Sequence, residues 1–154
     1  MNKKIKYSPC IWCIIILTLF ALTFGSCNNP YKTLYYKVKS AYNNPDSNVK
    51  LIDLKLVFPN NWDEIYIFES SMNREDIFEI TGTDCNCKTV HDAENLFLFL
   101  EKGRIVSSSY VAPFNNIIFS GQYMGTGFFR ISDTASVFII SKTKYGNFLL
   151  KPSK

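Results

Sequence analysis

Two apolar runs, each broken by a short turn that contains glycine, limit what this chain can fold into. They read "NLFLFLEKGRIVSSSYV" and "SVFIISKTKYGNFLL", and the breaks contain Gly103 and Gly146. Strand-forming runs on either side of such a turn are typical of a β-hairpin. The sequence therefore predicts two antiparallel hairpins in the second half of the chain.

Further strands are predicted before the first hairpin and between the two hairpins. The stretch "NWDEIYIFES" contains an aromatic and β-branched run between turn residues at 59–61 and 70–71, which predicts a buried strand. The stretch "NNIIFSGQYMGTGFFRIS" predicts one or two short strands, with its glycines as bends. Between residues 48 and 58 the apolar residues follow neither the helix period nor the strand period.

Two segments have helical character. After Pro30, apolar residues recur at helical spacing, which predicts an amphipathic helix that ends before Asn44. The apolar stripe consists of Tyr31, Leu34, Tyr35, Val38 and Tyr42. A second, short helix is predicted after Asn73, a suitable N-cap, with acidic residues in its first turn and Gly82 as its stop.

These elements define the expected fold class. About two helices and five to seven strands, joined by hairpins, predict a single α+β domain. Its sheet is mostly antiparallel, with one or two short helices packed on one face. No internal repeat of fixed period is visible.

The N-terminus differs in character from the rest. Lys3, Lys4 and Lys6 precede an uncharged, mostly apolar stretch at residues 10–24, the arrangement of an export signal. The stretch is shorter than the roughly 20 apolar residues that a spanning helix needs. A cleaved signal is therefore favoured over a permanent membrane helix.

The small residues Gly25 and Ser26 directly before Cys27 resemble the lipobox of bacterial lipoproteins, although Phe24 replaces the usual aliphatic residue. The resemblance implies a signal peptide at residues 1–26, a diacylglyceryl group on the Cys27 thiol, a lipidated tether at 27–30 and a globular domain at 31–154. Two acyl chains anchor a protein stably where one does not. An uncleaved signal anchor and cleavage by the ordinary signal peptidase remain alternatives.

The residues after the cysteine bear on its destination. In Gram-negative lipoproteins an aspartate there is associated with retention in the inner membrane, and Asn28-Asn29 lacks it. The resemblance therefore implies the periplasmic side of an outer membrane. A Gram-positive host is an open alternative.

Charge excludes one class of partner and suggests another. The three lysines are the only charged residues in the predicted signal peptide at 1–26. Its removal leaves 14 basic and 13 acidic side chains in 128 residues. The strongly positive surface of a nucleic-acid-binding domain is therefore absent. Residues 61–101 carry ten carboxylates against Arg74 and Lys88, whereas residues 102–154 carry seven basic residues against Asp133. The two segments either neutralise each other across a sheet or leave an acidic face for a basic partner.

Cys85, Cys87 and His91 are the candidate residues for thiol or metal chemistry. In an oxidising compartment, cysteines two positions apart can form a local disulfide of small stabilising effect. A thiolate and imidazole site for a soft metal, or a redox site, is the alternative. The spacing matches no common zinc pattern, so a metal site is the less favoured interpretation.

No catalytic motif is present: the sequence lacks a G-x-S-x-G elbow, a P-loop and a dinucleotide fingerprint. We therefore predict no catalytic residues, no cofactor and no small-molecule substrate. Outside the N-terminus, "WDEIYIF", "LFLFLEKGRIV" and "ASVFII" resemble a loose group of small exported bacterial proteins without a known function, over residues 57–150.

The favoured hypothesis is a lipid-anchored, non-enzymatic binding domain of the bacterial envelope with a protein partner. The first alternative is a thiol- or metal-handling protein that uses Cys85, Cys87 and His91. The second is an immunity or inhibitor-type protein that neutralises a basic toxin or hydrolase.

Overall fold

A computed structural model describes residues 29–69, 71–112, 116–120 and 127–153. The predicted signal peptide at 1–26, Cys27 and the predicted bends at Gly121 and Gly125 lie outside the described residues. Among the described residues the chain forms three α-helices, eight strands and one 3₁₀ turn at Asp133–Ala135. The helices are α1 (Pro30–Asn43), α2 (Leu54–Val57) and α3 (Arg74–Thr81). The strands are β1 (Leu51–Asp53), β2 (Glu64–Phe68), β3 (Asn95–Glu101), β4 (Arg104–Val111), β5 (Ile117–Phe119), β6 (Phe128–Ser132), β7 (Val137–Lys142) and β8 (Phe148–Pro152).

The strands form two sheets of four. The central sheet has the order β4-β3-β2-β6, and the outer sheet has the order β1-β7-β8-β5. All neighbours pair antiparallel except β5 and β8, which are parallel. The α+β fold class and both predicted hairpins, β3–β4 and β7–β8, are confirmed. The division into two sheets is a feature that the sequence did not reveal.

The central sheet is covered on both faces. Alternate residues of β2 and β3, such as Ile65 and Phe97, join one hydrophobic cluster with the inner face of the outer sheet. The residues between them, such as Tyr66 and Leu98, join a second cluster with Ile77 of α3. This two-sided burial explains why the sequence of β2 and β3 is almost continuously apolar.

The two longer helices belong to different clusters. Leu34 and Val38 of α1 are fully buried in the first cluster, and the ring centroids of Tyr42 and Phe148 of β8 are 5.5 Å apart. Ile77 of α3 is fully buried in the second. Because the clusters occupy opposite faces of the central sheet, α1 and α3 lie on opposite sides of it rather than on one face.

Residues 48–58, which showed no period, contain a strand and a helix in direct succession. Strand β1 ends at Asp53, and α2 starts at Leu54. The Asp53 carboxylate accepts hydrogen bonds from the Lys55 backbone N–H at 2.9 Å and from the Ser136 hydroxyl at 2.8 Å. Each element is too short to establish a pattern, and a tertiary contact fixes the junction.

Helix α3 has the caps that its sequence predicted. The Asn73 side chain accepts a hydrogen bond from the Asp76 N–H at 2.9 Å, and the Asp76 carboxylate accepts one from the Asn73 N–H at 3.0 Å. Gly82 ends the helix with φ of 67°, in the left-handed region that glycine adopts without strain.

Replacement of the N-cap should destabilise the domain measurably. We expect Asn73→Ala to lower the free energy of unfolding by about 1 kcal/mol, because it leaves backbone N–H groups of α3 without a side-chain acceptor. Asn73→Asp keeps the acceptor and should retain most of the stability. Urea unfolding of the three proteins measures the difference, and equal losses for Ala and Asp would contradict the capping role.

Candidate functional site

The folded domain begins close to the predicted lipid attachment point. Asn29 caps α1: its side chain accepts hydrogen bonds from the backbone N–H groups of Tyr31 at 3.0 Å and Lys32 at 3.2 Å. Pro30 is the first helical residue and is buried. Asn29 and Pro30, which were assigned to the tether, thus belong to the helix and its cap. Within the part of the chain that the structure describes, every helix is too short or too polar to cross a bilayer.

The cysteine pair lies beneath helix α3. The sulfur atoms of Cys85 and Cys87 are bonded to each other, with 5.1 Å between the two Cα atoms. The Cys85 side chain is 2% exposed and packs in the second cluster with Ile77 and Val90. Both thiols are consumed by the bond, and Cys85 contributes to the core of the domain.

His91 does not complete a ligand set with these cysteines. It is exposed, in the loop before β3. The described residues contain no group of three or more histidine, cysteine or carboxylate side chains arranged to hold a metal ion. The geometry therefore places the three candidate residues in one loop without assembling them into a site.

The outer side of α3 carries the most distinctive surface of the described chain. Phe78 is 51% exposed. With Arg74, Glu75 and Asp84 it lines an open depression of about 320 Å³, and the exposed Glu79 is its neighbour on the helix. We call Glu75, Phe78, Glu79 and Asp84 the acidic surface. An exposed aromatic ring among carboxylates offers one apolar contact within a negative field.

Arg74 neutralises one of these carboxylates. Its Nη2 atom lies 2.7 Å and 3.0 Å from the two carboxylate oxygens of Asp84, and its Nε atom lies 3.1 Å from Oδ1. The side-chain hydrogen bond to Asp84 raises the pKa of Arg74 above its usual value. This pair ties the loop that precedes Cys85 to the first turn of α3. The nearby charge of Glu75 is a smaller cause of the raised Arg74 pKa, so Arg74 also offsets part of the Glu75 charge.

The acidic middle and basic end of the chain do meet across the central sheet. Arg130 of β6 forms an ion pair with Glu64 of β2, and the guanidinium carbon lies 5.9 Å from the Tyr66 ring centroid. Burial of Tyr66, with the neighbouring Glu64 charge as a smaller cause, raises its phenol pKa. Among the described ion pairs, this one alone joins the two segments. Neutralisation across the sheet therefore applies to Glu64, and the carboxylates of α3 take no part in it.

Sequence reasoning missed Phe78. Ile77 of α3 is a member of the second cluster, and Ile80 packs against it, so these two residues form the apolar edge of the helix. Phe78 is displaced from Ile77 by about 100° around the helix, which turns it toward solvent. An aromatic residue outside the apolar stripe of a short, capped helix was the available signal.

Comparisons with protein-family models, curated proteins and solved structures found no match to this chain.

The disulfide should contribute little to stability. A bond that closes a loop of three residues removes chain entropy worth about 1.5 kcal/mol from the unfolded state. We expect reduction of the wild-type protein to lower the free energy of unfolding by roughly this amount. The double substitution Cys85→Ala/Cys87→Ala should lower it further, because it also removes the buried Cys85 sulfur from the second cluster, and should leave the fold intact. Urea unfolding with circular dichroism measures both, and reduced wild-type protein is the matched control. A fully unfolded double variant would show that this loop depends on the bond.

Proposed function

We propose that this protein is a bacterial envelope lipoprotein whose globular domain binds a basic protein partner without catalysing a reaction. Acyl chains on Cys27 hold it to the membrane, on the periplasmic side of the outer membrane in a Gram-negative host. The acidic surface on α3 receives the partner. The observation that carries the binding role is the half-exposed Phe78 side chain, in a depression that is also lined by Glu75 and by the Arg74–Asp84 ion pair.

The lipid anchor is supported by the sequence. A lysine-rich start, an apolar stretch and Gly25-Ser26 precede Cys27. Helix α1 begins at Pro30, three residues after this cysteine.

The acidic surface has the composition of a docking site for a basic partner. Aromatic side chains that become fully buried in an interface contribute much of its binding energy. Carboxylates around them accelerate the encounter with a positively charged protein and exclude acidic competitors. Glu75 and Glu79 lie one helical turn apart on either side of Phe78 along the chain, so one partner surface can contact all three.

The structure bears differently on the thiol or metal function and on the immunity or inhibitor role. The thiol or metal function is not favoured by a specific observation, because Cys85 is buried and bonded to Cys87. An immunity or inhibitor role is a special case of the main proposal, in which the basic partner is a toxin or hydrolase. The same binding measurements test it.

Loss of the Cys27 thiol should abolish acylation and mislocalise the protein. We expect Cys27→Ala to incorporate no fatty acid in cells fed a labelled palmitate analogue, because the variant lacks the thiol that receives the acyl chains and that defines the cleavage site. The Cys85→Ala/Cys87→Ala variant is the control and should keep its label. Membrane-bound wild-type protein whose mass still includes Met1 would refute the lipoprotein proposal.

Changes on the acidic surface should weaken partner binding. We expect Phe78→Ala, and separately Glu75→Gln/Glu79→Gln, to reduce the affinity for the partner by about tenfold. Added salt should weaken the wild-type complex, because it screens the attraction between Glu75, Glu79 and the basic partner. The Gln variant lacks these two charges, so salt should affect its complex less. The partner is identified by photo-crosslinking from position 78 in intact cells, and its affinity is then measured with purified proteins.

Tyr145 provides the matched control for Phe78. It is another exposed aromatic residue, 78% exposed, in the turn between β7 and β8. Tyr145→Ala should leave the affinity unchanged. Equal crosslinking from positions 78 and 145, or a partner with an acidic contact surface, would contradict the proposed binding role.

A further inference from the structure

We propose that the outer side of α1 and the adjoining part of β1 and α2 lie against the lipid headgroup layer, so that the domain is held flat on the membrane in one orientation. We call this set of residues the α1 surface: Lys32, Tyr36, Lys37, Lys39, Leu51 and Leu56. The inference rests on the proposed acylation of Cys27 and adds the orientation of the domain and a second, non-covalent membrane contact.

Only a short stretch of chain separates Cys27 from α1. Asn29 is fixed by its capping hydrogen bonds to Tyr31 and Lys32, and its carbonyl accepts a hydrogen bond from the Thr33 N–H at 3.1 Å. Three residue steps separate the Cα atoms of Cys27 and Pro30, a span of at most about 11 Å when extended. The start of α1 therefore cannot leave the headgroup region of a bilayer that holds the Cys27 acyl chains.

The exposed side of α1 carries lysines and a tyrosine. Lys32, Tyr36 and Lys39 follow each other at spacings of four and three residues, which places them on one side of the helix. Tyr36 is 66% exposed, and both lysines are exposed. A tyrosine ring flanked by lysines suits a membrane interface, where the ring lies at headgroup depth and the ammonium groups contact phosphates.

Exposed leucines lie next to this side of the helix. A groove of about 660 Å³ runs between α1 and the β1–α2 segment, and Lys37, Ser40, Leu51 and Leu56 are among its lining residues. Leu56 is 79% exposed and Leu51 is 46% exposed. Contact with the acyl and headgroup boundary removes these side chains from water.

Charge agrees with this orientation. The α1 surface carries Lys32, Lys37 and Lys39, against the Asp53 carboxylate in the lining of the adjoining groove, so this surface is net positive and attracts anionic lipid headgroups over about a Debye length. The acidic surface belongs to α3, which lies on the other side of the central sheet from α1. A membrane that attracts the α1 surface repels the acidic surface and leaves it facing the aqueous compartment.

Tryptophan fluorescence in vesicles tests the orientation. The full chain is expressed in bacteria as Tyr36→Trp and, as the matched control, Tyr145→Trp, and acylation of Cys27 is verified by mass spectrometry. Each protein is reconstituted into vesicles of phosphatidylcholine and phosphatidylglycerol, with or without phospholipids brominated on the acyl chains. The emission of wild-type protein, from the buried Trp62, is subtracted.

We expect brominated lipids to quench the added indole of the Tyr36→Trp protein by about twofold or more relative to that of the Tyr145→Trp protein, since interfacial contact inserts a side chain about 5–10 Å into the bilayer boundary. On the Tyr36→Trp background, Lys32→Gln/Lys39→Gln should lower this quenching toward the level seen in pure phosphatidylcholine. Lys144→Gln/Lys151→Gln removes two exposed lysines outside α1 and should have no effect.

The outcomes separate the two proposals. If Cys27 is acylated and the Tyr36→Trp protein is quenched no more than the Tyr145→Trp protein, the orientation proposed here is wrong and the lipoprotein proposal stands. Quenching at position 36 that is indifferent to the lysine substitutions also contradicts the electrostatic contact with anionic lipid. If Cys27 carries no acyl group, both proposals fail.

Discussion

The fold depends on the burial of β2 and β3 on both of their faces. These two strands form the middle of the central sheet, and their alternate residues supply two separate hydrophobic clusters. One cluster requires the outer sheet and α1 as a cover, and the other requires α3 and the disulfide loop. Both faces of these strands must therefore be covered by other elements. Since different helices cover the two faces, the outer surfaces on the two sides of the domain can differ in charge and polarity.

This independence separates the two roles that we propose. The side of α1 is basic and carries exposed Tyr36 and Leu56, whereas the side of α3 is acidic around Phe78. The rigid central sheet lies between them. A protein with a membrane contact on one side and a partner contact on the other presents its binding surface at a constant distance from the bilayer.

Local features of the fold were predictable, and long-range pairing was not. Asn73 and Gly82 end α3 through interactions within a few residues, and Gly103 and Gly146 mark the hairpin turns, so short stretches of sequence suffice to identify them. The outer sheet pairs Leu51 with Ile139 and joins Ile117 in parallel to Phe148, and no local pattern records such partners. The acidic surface could be predicted only in part. Its carboxylates are evident from the sequence, but the exposure of Phe78 depends on which side of α3 packs against Leu98 and its neighbours in the second cluster.

The contact between the first helix and the last strand has a consequence for the proposed export. Tyr35 and Tyr42 of α1 pack against Phe148 of β8. These contacts can form only after the β7–β8 hairpin has reached the same side of the membrane as α1. Contacts so distant along the chain form slowly because ordering the intervening residues costs entropy before any contact repays it. In the export that we propose, the contacts of Tyr35 and Tyr42 with Phe148 form only after β8 has been translocated, so α1 is not fully packed when Cys27 meets the enzymes of the proposed cleavage and acylation.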